Sequence, residues 1–150
     1  RIDKKGNPRE SMSFPKFKIL DFVQETFDSS ELYNYFYEKR FLFVVFKENM
    51  AGEYELIGSK FWNMPISDLE GIGKLEWERY QSQFIDGIEF EIKDNRISNN
   101  LLKSKETQIF HLRPHAQRSA YVINGIKYGN GTESDMDELP NGNKMTKQCF

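Results

Sequence analysis

The sequence predicts a single mixed α/β domain of the α+β kind, and three observations carry that prediction. "RFLFVVFKE" at residues 40–48 is a strand-like run of β-branched and aromatic residues. "SDLEGIGKLEWERYQSQFIDGI" at residues 67–88 has the spacing of one long amphipathic helix. The segments after it are short, alternate apolar with polar residues, and are separated by turn residues. The order is strand, helix, strands, helix, strands, unlike a regular βαβ series. With 150 residues, 38% apolar and 15% aromatic, the chain is long enough for one real core, and an aromatic-rich one.

In chain order, "DKKGNPRE" is a turn punctuated by Gly6 and Pro8, with Lys4 and Lys5 exposed. "ESMSFPKFKIL" is extended and anchored by Phe14, Phe17 and Ile19. "DSSELYNYFYEK" opens on Asp28, Ser29 and Ser30, whose side chains accept the free amides of a first helical turn, and predicts a short helix. The nearly continuous apolar run at 40–48 predicts a central strand buried on both faces. "GEYELIGSKFWNM" reads as a strand pair or one long strand bent near Gly58. In the long helix, Ser67 and Glu70 have capping-box spacing, and Leu69, Ile72, Leu75, Tyr80 and Phe84 trace one stripe. Gly71 and Gly73 weaken its start. "IEFEIK" and "TQIFHLRP" alternate as strands do. The second places Ile109, His111 and Arg113 on one face and Phe110 and Leu112 on the other, until Pro114 stops the ladder. "AYVINGIKYG" carries Asn124-Gly125, a two-residue hairpin turn. "TESDMDELPNGN" is an acidic loop, and "KMTKQCF" starts a last element.

The formal charge of −2 conceals an uneven distribution. Residues 1–18 hold six basic and two acidic side chains, residues 101–127 five and one, and residues 19–100 eight and sixteen. An acidic body with basic segments places positive potential where a phosphate backbone could run, and chance clustering on a solvated surface gives the same counts. The lone Cys149 excludes an internal disulfide and agrees with a reducing compartment. No apolar stretch approaches the roughly 20 residues that cross a bilayer. The chain starts without Met or a signal-peptide layout and ends abruptly at "KQCF", which reads as a piece of a longer protein.

The densest chemistry lies in "IFHLRPHAQR", residues 109–118. His111 and His115 are four apart but straddle a strand end and a proline, and no Cys or acid beside them completes zinc spacing. No serine sits in a nucleophile-elbow pattern, and "GNGTESD" lacks the lysine and helix of a phosphate loop. "DGIEFEIKD" offers Asp86, Glu91 and Lys93, outwardly an acid followed by the E-x-K of Mg²⁺-dependent nucleases; Glu89 shares that face, as on an ordinary solvated strand. Arg113 and His115 read better as recognition groups. An arginine at an exposed strand end can bind guanine in bidentate fashion, and Pro114 stiffens its presentation. Arg118, Lys127, Lys144 and Lys147 offer phosphate contacts. The competing reading has Arg113 neutralising a carboxylate of the Asp135–Glu138 run.

"HLRPHA" and "MTKQCF" together, with "KKGNPRESMSF", "EKRFLFVVFK", "FWNMPISDLE" and "LPNGNKMTKQCF" in the same order, resemble the MutH family, which unites a mismatch-repair nicking endonuclease with type II restriction enzymes cutting at GATC. The resemblance implies a restriction-endonuclease-like fold, with a mixed central sheet flanked by helices and truncated at both ends. It also implies a D…E-x-K site with Mg²⁺ whose E-x-K strand ends just before Arg1, which makes the triad at Glu91 a decoy. Catalytic residues are then absent from this chain, apart from Lys39 at the position of the family's accessory lysine. By the same resemblance Arg113, Pro114 and His115 read DNA, and Lys4, Met145 and Lys147 approach it. Met145 stands where the repair enzyme has tyrosine, and the 120–131 hairpin looks like an insertion.

Restriction enzymes of this family carry a cutting N-terminal copy of the fold and a non-catalytic C-terminal copy that binds a second GATC. "ESMSF", "RFLF", "HLRPHA" and "MTKQCF" look closer to the C-terminal copy. The expectation is therefore an effector domain, in a bacterial cytoplasm, that binds GATC-containing duplex DNA and couples to the N-terminal catalytic domain of its own chain. It needs no cofactor itself, while its parent enzyme uses Mg²⁺. Lys4, Lys5, Arg9, Arg118 and Lys147 would meet phosphates, and Arg113 and His115 base edges or the adjacent backbone. Two alternatives stay open: half of an active nuclease with its acids upstream, and a protein-interaction module without DNA affinity.

Overall fold

The computed structural model describes residues 1–9, 11–94 and 96–150. Glu10, where the expected extended segment starts, lies outside the described residues. That segment runs on to Lys18 and then closes into a one-turn helix, α1 (Ile19–Phe22), whose first amide donates to Asp137 Oδ2 at 2.7 Å. The predicted short helix is α2 (Glu31–Glu38). Ser30 caps it, its hydroxyl accepting the Tyr33 amide at 3.1 Å, an arrangement worth about 1 kcal/mol.

Strand β1 (Phe41–Glu48) pairs antiparallel with β2 (Tyr54–Trp62) as one long hairpin. Its register shifts between Val45 and Phe46, so the bend expected near Gly58 is a bulge, and Gly58 holds φ 154°. The expectation of burial on both faces is corrected. Leu42, Val44 and Phe46 remain 52%, 48% and 38% exposed. A continuous apolar run meets burial on both faces only where layers lie on both sides, and here the core covers the Phe41 and Trp62 side alone. Along β1's other edge, Ile2 makes a parallel bridge to Lys47.

The long helix is composite: α3 (Ile66–Asp68), a π-helical turn at Leu69–Gly73, and α4 (Lys74–Asp86), ended by Gly87 at φ 105°. The predicted cap is corrected, because Pro65 rather than Ser67 precedes the first turn, and Glu70 accepts from the Tyr33 hydroxyl at 3.0 Å. The stripe is corrected in part: Leu69, Tyr80 and Phe84 are buried as expected, but Ile72 and Leu75 are exposed. The wider π turn shifts its phase, so Gly73, Glu76, Trp77, Tyr80 and Phe84 face inward while Leu75 is 61% exposed.

Strands β3 (Phe90–Lys93) and β4 (Arg96–Asn99) form a second hairpin. After it come β5 (Arg113–Pro114), β6 (Ala120–Ile123), β7 (Ile126–Gly129), β8 (Met136–Glu138), β9 (Lys144–Thr146) and β10 (Gln148–Cys149). Asn124 and Gly125, both at positive φ, make the β6–β7 turn as expected. The acidic stretch is only partly loop, since β8 lies within it. The mixed α/β class holds, but among the described residues the strands pair antiparallel in three two-stranded sheets and one four-stranded sheet ordered β7-β6-β9-β8, not in one mixed central sheet.

The core sits between α4, α1, α2 and the chain's last residues. Phe22 meets Trp77 at 4.8 Å, Phe84 at 5.8 Å and Phe150 at 5.9 Å between ring centroids. The first two pairs are edge-on and the third tilted, and aromatic pairs of this kind add about 0.5–1.5 kcal/mol each to area burial. Among the described residues, no helix is long and apolar enough to cross a membrane.

Candidate nucleic-acid interface

The segment that ends in Arg113, Pro114 and His115 is held from behind. Glu76, on the inward face of α4 and 4% exposed, accepts three successive backbone amides: Gln108 at 2.5 Å, Ile109 at 3.0 Å and Phe110 at 2.8 Å. Those amides are therefore spent on a carboxylate and cannot join a strand ladder. This corrects "TQIFHLRP", of which only Arg113 and Pro114 are strand. The Phe110 ring lies where a Cβ on Gly73 would come within 2.9 Å of it, so glycine is required there for the close approach.

Beyond Phe110, β5 pairs with β10, Pro114 opposite Gln148 and Arg113 opposite Cys149. The His115 amide continues the pairing, donating to the Lys147 carbonyl at 2.7 Å. On the far side of β10, Lys16 bridges to Cys149. Three chain segments distant in sequence thus lie side by side. Lys16, Pro114, His115, Ser134, Asp135 and Lys147 border an open groove of about 460 Å³ along them.

Arg113 is half-buried and makes no ion pair among the described residues. The competing reading of Arg113 finds no ion pair to the Asp135–Glu138 run among the described residues, and two acids of that run, with neighbouring Glu133, are engaged elsewhere. Asp135 accepts the Thr132 amide at 2.8 Å, Asp137 holds the Ile19 amide, and Glu133 pairs with Lys144. The Thr132 amide holds the Asp135 carboxyl below the usual carboxylate range, and the Lys147 charge pulls the same way. Lys147 itself donates to the Ser134 carbonyl at 2.7 Å, which points its ammonium along the groove wall.

The other expected site residues divide. Lys4, Lys5 and Arg9 form a second basic group at the β1–β2 turn: Lys4 Nζ reaches the Met50 carbonyl at 3.5 Å, the Lys5 amide donates to Asp3, and Arg9 pairs with Glu48. Asp3 braces the turn at residues 3–7 that carries Lys4 and Lys5, and the Asn7 amide holds its carboxyl below the ordinary value. Arg118 and Lys127 are exposed beyond the groove, and the Lys144 charge is taken by Glu133. Met145 is corrected. At 0% exposure it is a core side chain of β9 and cannot touch a ligand on the surface. Lys39 is exposed at the C-cap of α2. Glu91 and Lys93 pair with each other at 2.7 Å on an open strand face. Among the described residues no group of three or more His, Cys, Asp or Glu converges to hold a metal.

Two residues of this site escape the sequence reading. Lys16 enters through a bridge that no local pattern announces. Glu76 leaves a trace, because it is a charged residue at the inward phase of a helix, where an apolar one is the rule.

The α/β architecture of small antiparallel sheets and few helices is consistent with a restriction-endonuclease-like fold. The sequence comparison points the same way: the chain is homologous to part of the type II restriction enzyme Sau3AI of Staphylococcus aureus, 35% identical over 172 residues. The match takes in 99% of this chain and 34% of that enzyme, so the chain spans about a third of the length of the relative it matches. No family model matches the sequence.

Proposed function

We propose that the chain is a GATC-recognising, double-stranded-DNA-binding domain of a MutH-type restriction endonuclease, acting as a non-catalytic effector of a cutting domain on the same polypeptide in a bacterial cytoplasm. The observation that carries this reading is the similarity to a type II restriction enzyme along essentially the whole chain. Arg113, without an ion pair among the described residues and next to a groove edged by His115, Lys16 and Lys147, supports it.

In this reading the duplex lies along the β5–β10 tip. Lys16, Lys147 and Arg118 neutralise phosphates, which gives affinity without sequence information. Arg113 offers its fork to the O6 and N7 of guanine, and Pro114 removes one backbone freedom from its presentation. Lys4, Lys5 and Arg9 meet a second stretch of backbone, with Arg9 first leaving Glu48. Occupancy raises cutting in the partner domain because DNA holds one domain arrangement better than another. The family's Mg²⁺ belongs to that cutting domain.

Titrating GATC and scrambled duplexes at two salt concentrations tests the proposal. The expected result is tighter binding to GATC and a fall in both affinities with salt. Lys147→Ala should lower the log–log salt slope by about one without changing the GATC preference. A chain that binds neither duplex at low salt is an interaction module, and the proposal fails.

A further inference from the structure

We infer that Glu76 is a positioning residue for DNA reading, a buried carboxylate that fixes the recognition tip from inside the protein. This rests on the DNA-reading assignment of Arg113 made above. Glu76 is 4% exposed, and both its oxygens are used: Oε1 accepts the Gln108 amide and Oε2 those of Ile109 and Phe110. Three consecutive amides turned toward one anion form a backbone nest, and here the anion is part of the protein.

A second feature holds the same segment. Gly73, one turn before Glu76 on the same helix face, admits the Phe110 ring, which is 3% exposed. The segment is therefore clamped at its amides and at its side chain three residues before Arg113. From there the chain has only His111 and Leu112 to cross before β5 pairs with β10. With both ends fixed, the direction of Arg113 is set before DNA arrives, which lowers the ordering cost of binding. Bidentate recognition depends on that direction, whereas phosphate contacts by flexible lysines tolerate its loss. The prediction is therefore a split between specificity and affinity.

Glu76→Gln keeps the shape but removes the charge and leaves one carbonyl for three amides. In the whole 150-residue chain it should reduce the GATC-over-scrambled preference at least tenfold, while affinity for the scrambled duplex stays within about twofold. Gln83→Ala is the matched control. Gln83 lies on the same helix but holds the Asn100–Leu102 segment after β4, so the change loosens that segment without touching residues 108–110 and should keep the preference. Amide hydrogen exchange in the unaltered chain supplies the second measurement, which needs no variant to fold. The amides of Gln108, Ile109 and Phe110 should be protected before DNA is added and gain little when it binds. A Glu76→Gln chain with full GATC preference, or amides 108–110 that exchange freely until DNA binds, overturns the inference alone. An unaltered chain with no GATC preference overturns the DNA-reading assignment as well, and the inference falls with it.

Discussion

Arg113→Ala is expected to weaken binding to a GATC duplex by about 1–3 kcal/mol, roughly five- to 150-fold, and to leave binding to a scrambled duplex nearly unchanged. The size follows from losing one bidentate arginine–guanine pair, and the selectivity from the lack of any structural duty for the side chain. Its strand pairing with Cys149 runs through the backbone, which alanine keeps, and it makes no ion pair among the described residues. The melting temperature should therefore move little. Electrophoretic or anisotropy titration at matched salt reads the effect. If the substituted chain keeps its preference for GATC, Arg113 does not read bases.

The largest expected loss of stability comes from Trp77→Ala, about 3–5 kcal/mol. Trp77 is 1% exposed, meets Phe22 at 4.8 Å and Phe27 at 5.6 Å, and stands where α1, α2 and α4 converge. A small pocket of about 50 Å³ already adjoins it, and the substitution would enlarge that space. Domains of this size hold about 5–15 kcal/mol in all, so the substitution consumes a large share. At about 2–4 °C per kcal/mol, the thermal midpoint should fall by about 6–20 °C. Leu75→Ala, two residues earlier and 61% exposed, should change stability by less than about 0.5 kcal/mol. Equal effects at the two positions would show the helix phase to be misassigned.

Local chemistry was the legible part of the fold. Ser30 caps α2 and Asn124-Gly125 turns the β6–β7 hairpin because each acts on backbone within a few residues of itself. What escaped depends on distant partners. The alternation of "TQIFHLRP" is real, yet a carboxylate more than thirty residues earlier takes its amides. In the stripe of the long helix Leu69, Tyr80 and Phe84 were read correctly, whereas Ile72 and Leu75 point outward, because a π turn cannot be seen in a pattern read at 3.6 residues per turn. The apolar run of β1 gave its strand correctly, but apolar sequence does not say how many faces are covered. In the candidate site, Arg113, Pro114, His115 and Lys147 were readable as a basic cluster and do border or adjoin one groove. Met145 was placed there by resemblance alone. A thioether has no polar end to keep at the surface, and between Lys144 and Thr146 on β9 it is the side chain that is buried in the core.

The proposed DNA-binding face can be mapped residue by residue, by following backbone amide shifts of the whole chain as a GATC duplex is added. The account predicts that the largest changes gather at residues 113–118, Lys147 and Lys16, with a weaker second group at residues 4–9. Changes centred on β3–β4 or on the outer face of α4, with residues 113–118 unmoved, would contradict it.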